Sequence, residues 1–226
     1  MAQNPPPDPQ SRNRAVPAPV PAQPLPTPEY PRIFGIIPNY RSSPSLVNYK
    51  PLTARQKFKI FAQDSFDRGD VILAAAFAGE AQATNSTPSF GQGVAGYARY
   101  FGAAYGDLVI GNFMSEAVFP TMLHHDPRYF RRGTGSNWSR LGYAVKQIVW
   151  THTDSGGTFF NVSEFGGNAV ASAISLAYYP DNRTASEFAT KLGIAVGLDT
   201  TGNILKEFWP DLAHKFGHKK HQQANP

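Results

Sequence analysis

The chain contains no cysteine among its 226 residues. Disulfide bonds, thiolate metal sites and a thiol nucleophile are therefore excluded. The histidines offer little more, because the only His-x-x-x-His pair, His214 and His218, lies in a basic stretch near the C-terminus. We therefore predict no metal site, and the sequence identifies no cofactor.

Long apolar runs are also missing. A transmembrane helix needs about 20 consecutive, mostly apolar residues. The best candidate, residues 101–120, contains Asp107 and Glu116, and a charge in mid-span is costly. We therefore favour a globular helical domain that sits on a membrane, or partly in it, over a protein with several membrane spans.

The chain lacks the signatures of nucleic-acid-binding proteins and of several common enzyme classes. Its net charge of +5 is modest, and no basic helix interleaved with aromatic residues is present, so we predict no nucleic-acid partner. The same charge favours contact with anionic lipid, which makes a membrane surface an expected partner. A Walker motif, a dinucleotide fingerprint and a Gly-x-Ser-x-Gly nucleophile turn are all absent from the sequence.

The N-terminal segment is rich in proline. Residues 1–31 hold 11 of the 20 prolines, and few residues there are suited to a core, so we predict a disordered tail. The opening residues, Met1-Ala2-Gln3, are typical of a mature secreted N-terminus with a starter methionine. We expect an exported protein whose signal peptide has been removed, located in the periplasm or associated with the outer envelope.

The rest of the chain is predicted to be one mainly α-helical domain. Residues 32–52 are interrupted by prolines, and we expect an extended segment on the surface. Residues 53–213 carry helical periodicity with short loops, which favours a single bundle of about six helices. Residues 214–226 form a predicted basic, disordered tail. Capping signals mark three helix starts, at Thr53, Asn161 and Thr184.

Small residues are concentrated in helix-length segments that also carry isolated polar side chains, such as 102–107 and 166–172. Glycine, alanine and serine let helix backbones approach closely. A polar side chain inside such an interface must pair with another, hold water or hold a ligand. We therefore expect small-residue helix packing around a polar interior.

The long third helix, predicted from Ser89 to near Pro120, carries the first candidate site. Asn112 and Glu116 are four residues apart and would share one face of a regular helix. Glu116 is then a candidate buried carboxylate with a raised pKa, able to act as an acid or base. The alternative is an ordinary amphipathic surface.

The loop that follows this helix carries the second candidate site. His125 and Asp126 stand beside three arginines, Arg128, Arg131 and Arg132. Guanidinium groups suit a phosphate or carboxylate head group. The alternative is a structural loop whose arginines pair with Asp126 or with helix C-termini.

The last two predicted helices carry polar stripes at helical spacing. One stripe begins at Glu164 and Asn168, and the other contains Asp199, Asn203 and Glu207. If the two stripes face each other and Asn112, they form a polar pocket inside the bundle. If they face water, they are a solvated surface. The flanking glycines favour the interior.

Several sequence blocks resemble a group of uncharacterised exported bacterial envelope proteins. The resemblance covers roughly residues 32–212 and implies no known activity. Four blocks carry it: Tyr49-Lys50-Pro51-Leu52, Ser89-Phe90-Gly91-Gln92-Gly93, residues 125–132 and residues 205–211.

A fainter resemblance, carried by Lys206-Glu207-Phe208-Trp209, is to small VanZ-like helical envelope proteins. Those proteins carry a Lys-Glu-x-x-Asp segment, whereas here Pro210 precedes Asp211, and their Asp-Lys-x-x-His helix has no counterpart. The resemblance implies lipid or cell-wall head groups as ligands.

Two functional hypotheses follow. The first is an exported, membrane- or cell-wall-associated envelope protein that binds or organises a partner, with a lipid or cell-wall component as the expected ligand and no assigned reaction. The second is a hydrolase or transferase acting on a lipid or cell-wall head group. Its candidate catalytic residues are Glu116, His125, Asp126 and Asp199. The candidate ligand-binding residues are Asn112, Arg128, Arg131, Arg132, Asn168 and Asn203.

Overall fold

The computed structural model describes residues 32–43, 46 and 49–223, with side chains described as far as residue 215. The predicted disorder of residues 1–31 lies outside the described residues. The protein is mainly helical, as predicted. Six of the helices that the described residues form have twelve or more residues. In chain order the helices are α1 (Ala54–Ser65), α2 (Arg68–Ala83), α3 (Gly93–Asn112), α4 (Phe119–Leu123), α5 (Asn137–Val149), α6 (Val162–Ser175) and α7 (Ala185–Gln223).

The predicted capping signals start three of these helices. At α1, the Gln56 backbone amide donates to Thr53 Oγ1 (3.3 Å), and the Gln56 side chain accepts from the Thr53 amide (2.9 Å). Asn161 Oδ1 accepts from the Glu164 amide at the start of α6 (3.2 Å). These bonds satisfy amide groups that have no partner within the helix.

The long third helix is not regular. Between α3 and α4 the chain forms a π-helical segment, Phe113–Val118. The wider π turn breaks the regular spacing on which the shared face of Asn112 and Glu116 was predicted. Glu116 lies inside this segment and is turned into the interior, where its side chain is 1% exposed.

Short strands tie the segment before α1 to the loops after α4. Strands β1 (Arg32–Ile33) and β2 (Ile37–Pro38) form an antiparallel pair. The remaining strands are β3 (Ser42–Ser43), β4 (His125–Asp126), β5 (Tyr129–Phe130), β6 (Trp150–Thr153) and β7 (Thr158–Phe160). β3 pairs with β5 in parallel, and β6 lies between β4 and β7 in an antiparallel sheet.

Two predicted boundaries differ from the structure. The helical spacing of Leu141, Val145, Ile148 and His152 predicts a helix that reaches His152, but α5 ends at Val149. His152 belongs to β6, where it pairs with Asp126. The last helix, α7, continues to Gln223, whereas the helical domain is predicted to end at residue 213. The described residues between 32 and 52 form short strands and turns, and they contribute to the interior, because Ile33 is fully buried.

Close packing of small residues brings α6 against the π-helical segment. A Cβ atom on Gly167 would lie 2.7 Å from the Ser115 Cα, so only glycine permits this approach. The contact places Glu164 and Asn168 of α6 beside the π-helical segment that carries Glu116. Among the described residues, no helix is both long enough and apolar enough to cross a membrane.

Candidate functional site

A buried arginine gathers carboxylates from three elements. Arg41 Nε lies 3.2 Å from Glu116 Oε1 and 3.4 Å from Asp64 Oδ2, and Arg41 Nη2 lies 3.3 Å from Asp199 Oδ1. These partners belong to the π-helical segment, α1 and α7. The turn between β2 and β3, which carries Arg41, therefore inserts a guanidinium group between helices.

A second set of contacts extends this site into α6. Asn168 Nδ2 donates to Glu164 Oε1 (2.9 Å) and to Asp199 Oδ2 (3.3 Å). Asn168 is 3% exposed and Glu164 is 7% exposed. Lys206 of α7 is also buried and interacts electrostatically with Asp64, Glu116 and Asp199. We call this set the Arg41 cluster, and its members are Arg41, Asp64, Glu116, Glu164, Asn168, Asp199 and Lys206.

Acidic groups outnumber cations in the Arg41 cluster. Burial raises the pKa of Asp64 and, more strongly, those of Glu116 and Glu164. Burial also lowers the pKa of Lys206 to about 8, with Arg41 adding to the effect. A low-dielectric site disfavours unpaired charge, so burial favours the protonated form of these carboxyl groups.

The pKa of Arg41 moves the other way. Burial alone would lower it, but Glu116, Asp199 and Asp64 surround the guanidinium and raise its pKa above the ordinary value. Arg41 is therefore a fixed positive charge, and the protonation of the site changes at the carboxyl groups around it.

Two carboxylate oxygens in the cluster are not satisfied. Glu116 Oε2 and Asp64 Oδ1 are buried, and neither has a hydrogen-bond partner within the described part of the chain. Burying a polar atom without a partner is costly, and most buried polar atoms in proteins have one. These oxygens are therefore free to bind a proton, a water molecule or a ligand group.

Asn112 supports the edge of the cluster. Its Nδ2 donates to Asp70 Oδ2 (3.0 Å) and to Ser65 Oγ (3.2 Å). Burial, followed by the charge of Asp64, raises the pKa of Asp70 to about 6, and the Asn112 hydrogen bond opposes this rise. Asn112 therefore contacts α1 and α2, while Glu116 contacts Arg41.

Two cavities meet at Asp199. The smaller has a volume of about 40 Å³ and is lined mainly by polar groups, among them His125, Ser163, Glu164 and Asn203. A volume of this size accommodates water but not a large substrate. The larger is a groove of about 400 Å³ bounded by α2, α3, α6 and α7, with Asn112, Asn168 and Asp199 at one end. Its apolar lining includes Phe77, Ala104, Leu108, Ala171, Ile194 and Leu198.

A polar bridge crosses the other part of the groove. Asp107 of α3 accepts hydrogen bonds from the Tyr178 hydroxyl, the Tyr179 hydroxyl (2.9 Å) and Lys191 Nζ of α7 (3.0 Å). Lys191 Nζ also lies 3.5 Å from the centre of the Tyr179 ring. The carboxylate and the ammonium neutralise each other, so this bridge adds no net charge to the groove.

The four candidate catalytic residues do not form one hydrogen-bonded group. Glu116 and Asp199 meet at Arg41, but His125 Nδ1 lies 2.9 Å from Ser163 Oγ. Burial and nearby Lys57 lower the pKa of His125. Asp126 is 1% exposed and accepts from Arg128 and Tyr49. Among the described residues, the hydrogen bonds of His125 and Asp126 do not reach Glu116 or Asp199.

The three arginines of the loop after α4 have separate partners. Arg128 Nη2 lies 2.6 Å from Asp126 Oδ2, which is the structural alternative considered above. Arg131 Nη2 lies 2.6 Å from Asp211 Oδ1. Arg132 stacks its guanidinium over the Tyr143 ring at 6.0 Å, and no carboxylate pairs with it in the described residues.

Glu207, in the predicted stripe of α7, has a different role from Asp199. Its carboxylate accepts from the Tyr129 hydroxyl (2.8 Å), Arg140 Nε (2.8 Å) and the amides of Arg132 (3.0 Å) and Gly133 (2.9 Å). Burial would raise the pKa of Glu207, but these donors, Arg140 foremost, hold it below the ordinary value. Glu207 fixes the loop after α4 to α5 and α7.

The sequence interpretation did not propose three members of the Arg41 cluster as site residues: Arg41, Asp64 and Lys206. Asp64 follows Ile60 by four residues on the buried face of α1, so its spacing was a usable signal. Arg41 had none, because it lies in an irregular segment whose position is set by strand pairing. Among the stripe residues, Asn168 is buried, and Asp199 and Asn203 are half-buried at the cavities.

Comparison with protein-family models, curated proteins and solved structures finds no match to this chain. Within the described residues, no group of three or more histidine and carboxylate side chains is placed to hold a metal ion. Functional interpretation therefore depends on the cluster and the groove.

Proposed function

We propose that the protein is an exported cell-envelope protein, associated with a membrane or the cell wall, that binds an amphiphilic partner and has no assigned reaction. The observation that carries the proposal is the apolar groove that ends at Asn168 and Asp199. An apolar site with a few polar groups at one end is typical of pockets for small molecules.

The groove suits the apolar part of such a ligand. Its volume of about 400 Å³ falls within the range of known ligand pockets. Along α7 it extends from Glu187 to Asp199, a span of roughly 18 Å at the rise of an α-helix. A single alkyl or isoprenoid chain fits these dimensions.

The charge of the Arg41 cluster selects the head group. Carboxyl groups outnumber the two cations there, and the Asp199 carboxylate lines both cavities. An ammonium or hydroxyl group donates hydrogen bonds to this carboxylate, whereas a phosphate or carboxylate would be repelled by it. We therefore propose a cationic or hydroxyl-bearing head group.

The alternative is a hydrolase or transferase acting on a lipid or cell-wall head group. One observation favours it: Glu164 is hydrogen-bonded to Asp199, and burial and the charge of Asp199 raise its pKa. A carboxyl group with a raised pKa is suited to general-acid catalysis. In this case the protein would bind its substrate at the same site and also catalyse a reaction there.

Isothermal titration with decylamine, decanoate and decyl maltoside, each below its micelle concentration, tests the proposal. We expect binding of decylamine and decyl maltoside and little binding of decanoate. Asp199→Asn should weaken decylamine binding roughly tenfold, as loss of a charged hydrogen bond predicts, and should leave decyl maltoside nearly unchanged.

A matched pair of variants on α7 locates the site. Ala195 lines the groove, so Ala195→Phe should abolish binding of both ligands. Ala189 is exposed on the same helix and does not line the groove, so Ala189→Phe should bind as the unmodified protein does. Equal effects of the two variants, or preferential binding of decanoate, would overturn the proposal.

A further inference from the structure

The outer face of α5 is apolar, although it faces solvent. Trp138 is 83% exposed, Val145 43% and Val149 37%. Their spacing of seven and four residues puts them on one stripe of the helix. The opposite, buried face carries Arg140 with Ala144 and Ile148. An ordinary surface helix buries apolar side chains and exposes polar ones. In α5 several apolar side chains are exposed, and one arginine is buried.

The stripe continues beyond the end of α5. Trp150 begins β6 and is 43% exposed, and its cross-strand partner Phe160 of β7 is also 43% exposed. The two rings are 6.5 Å apart in an edge-on arrangement. Trp138 and Trp150 are therefore separated by roughly 18 Å along the helix axis, with an apolar surface between them.

The chain segment that carries this stripe has charged residues of one sign. It contains no aspartate or glutamate between Pro127 and Thr153. Lys146 is exposed beside Val145, and Arg132, exposed in the loop before α5, lies over the ring of Tyr143. In the part of the chain that the structure describes, neither cation is engaged in an ion pair.

We propose that the outer face of α5, with Trp150 and Phe160, docks onto the anionic headgroup region of a phospholipid bilayer. Tryptophan rings favour the interface between water and hydrocarbon. A helix lying in this interface buries an apolar face and keeps its cations near anionic lipid.

A second copy of the chain fits the stripe less well. A twofold dimer through this face would bury Lys146 against a second copy of the same segment, which contains no carboxylate between residues 127 and 153 to pair with it. An anionic lipid surface instead attracts this cation. The inference deepens the membrane association proposed above and does not depend on the groove.

Flotation with phosphatidylglycerol–phosphatidylcholine vesicles, compared with phosphatidylcholine vesicles, tests the docking. We expect binding only with the anionic lipid. Lys146→Gln should weaken it about fivefold, the effect of one cation near an anionic surface. Trp138→Ser should abolish it, whereas Phe66→Ser, at a side chain 65% exposed between α1 and α2, should not.

The fluorescence of the three tryptophans can show directly which part of the protein contacts the bilayer. Variants that keep only Trp138, only Trp150 or only Trp209, with phenylalanine at the other two positions, are mixed with vesicles containing brominated lipid. Quenching of Trp138 and Trp150, but not of Trp209, is expected. The docking proposal would be wrong if Trp209 were quenched to the same degree, or if the protein failed to bind anionic vesicles.

Two further outcomes separate the alternatives. If sedimentation shows a dimer that Trp138→Ser dissociates, a second copy covers the stripe and the lipid proposal is wrong. Decylamine titration of Trp138→Ser in lipid-free solution should match the unmodified protein, since Trp138 does not line the groove. Loss of vesicle binding with intact decylamine binding thus supports the docking surface independently of the groove.

Discussion

Glu207 and Glu116 are buried to almost the same extent, yet their carboxyl groups behave in opposite ways. Glu207 is 0% exposed and Glu116 is 1% exposed. The pKa of Glu207 is lowered, because Arg140, Tyr129 and two backbone amides donate to it. The pKa of Glu116 is raised well above its ordinary value, because burial outweighs the attraction of Arg41.

The two sites differ in the number of hydrogen-bond donors available to each carboxyl group. Around Glu207 a single carboxylate meets four donors and is fully satisfied. In the Arg41 cluster, several carboxyl groups share Arg41, Lys206 and the amide of Asn168. A satisfied buried network makes a fold rigid, and a partly satisfied one is expected at a functional site. We therefore propose that Glu207 stabilises the fold and that the Arg41 cluster binds a ligand.

The largest expected effect is at Glu207. Glu207→Gln removes the charge that neutralises buried Arg140 and replaces an acceptor with an amide donor beside the Arg132 and Gly133 amides. Breaking a buried ion pair from one side costs about 3 kcal/mol or more. We expect this loss in the free energy of unfolding, measured by urea denaturation at neutral pH.

A control variant is available on α2. Glu80 is exposed, and Glu80→Gln should change the free energy of unfolding by less than about 0.5 kcal/mol. If Glu207→Gln were equally mild, the donors around Glu207 would not be holding the loop after α4 in place, and the contrast with Glu116 would fail.

An intermediate effect is expected at Glu164, and its dependence on pH should be opposite to that of Glu207. The folded-state pKa of Glu164 is raised above 4.5, so its contribution to stability is present below that pH and is lost as the pH rises through the folded-state pKa. The pKa of Glu207 is lowered from 4.5, so its contribution is present above that pH and is lost as the pH falls.

Glu164→Gln should therefore gain stability relative to the unmodified protein as the pH rises from about 5 to about 8. Near the lower pH, the two should agree within about 1 kcal/mol, because glutamine resembles the protonated side chain. The deficit of Glu207→Gln should instead stay nearly constant over this rise and shrink as the pH falls below 4.5. Urea denaturation over both pH ranges measures the two variants, and a Glu207→Gln deficit that shrinks on raising the pH, as that of Glu164→Gln does relative to the unmodified protein, would contradict the assignment.

Prediction from the sequence worked where a local rule decided the outcome. Thr53 and Asn161 start helices because their side chains bond to nearby backbone amides, and this chemistry depends on a few adjacent residues. The mainly helical fold and the close packing of small residues, including the contact at Gly167, also follow from patterns that span only a few neighbouring residues. The inward position of Asn168 was predicted for the same reason.

Prediction failed where distant segments determine the geometry. Glu116 lies in a π-helical segment, and regular helical spacing cannot reveal such a segment. Arg41 enters the cluster because β3 pairs with β5, a contact between segments far apart in sequence. The partners of Arg131 and Arg132 likewise come from α7 and α5.

The smallest expected effect is at Asp70, at the edge of the Arg41 cluster. Its carboxyl group should titrate at about 6, which carbon-detected NMR of the side-chain carboxyl would measure. Asn112→Ala should raise this pKa further, because the Asn112 amide donates to the ionised carboxylate and favours it. Asp181 is the internal control, since hydrogen bonds from Ser89 lower its pKa. A titration of Asp70 at its ordinary value of 3.8 would show that water reaches the edge of the cluster, and the shortage of donors would no longer distinguish the Arg41 cluster from Glu207.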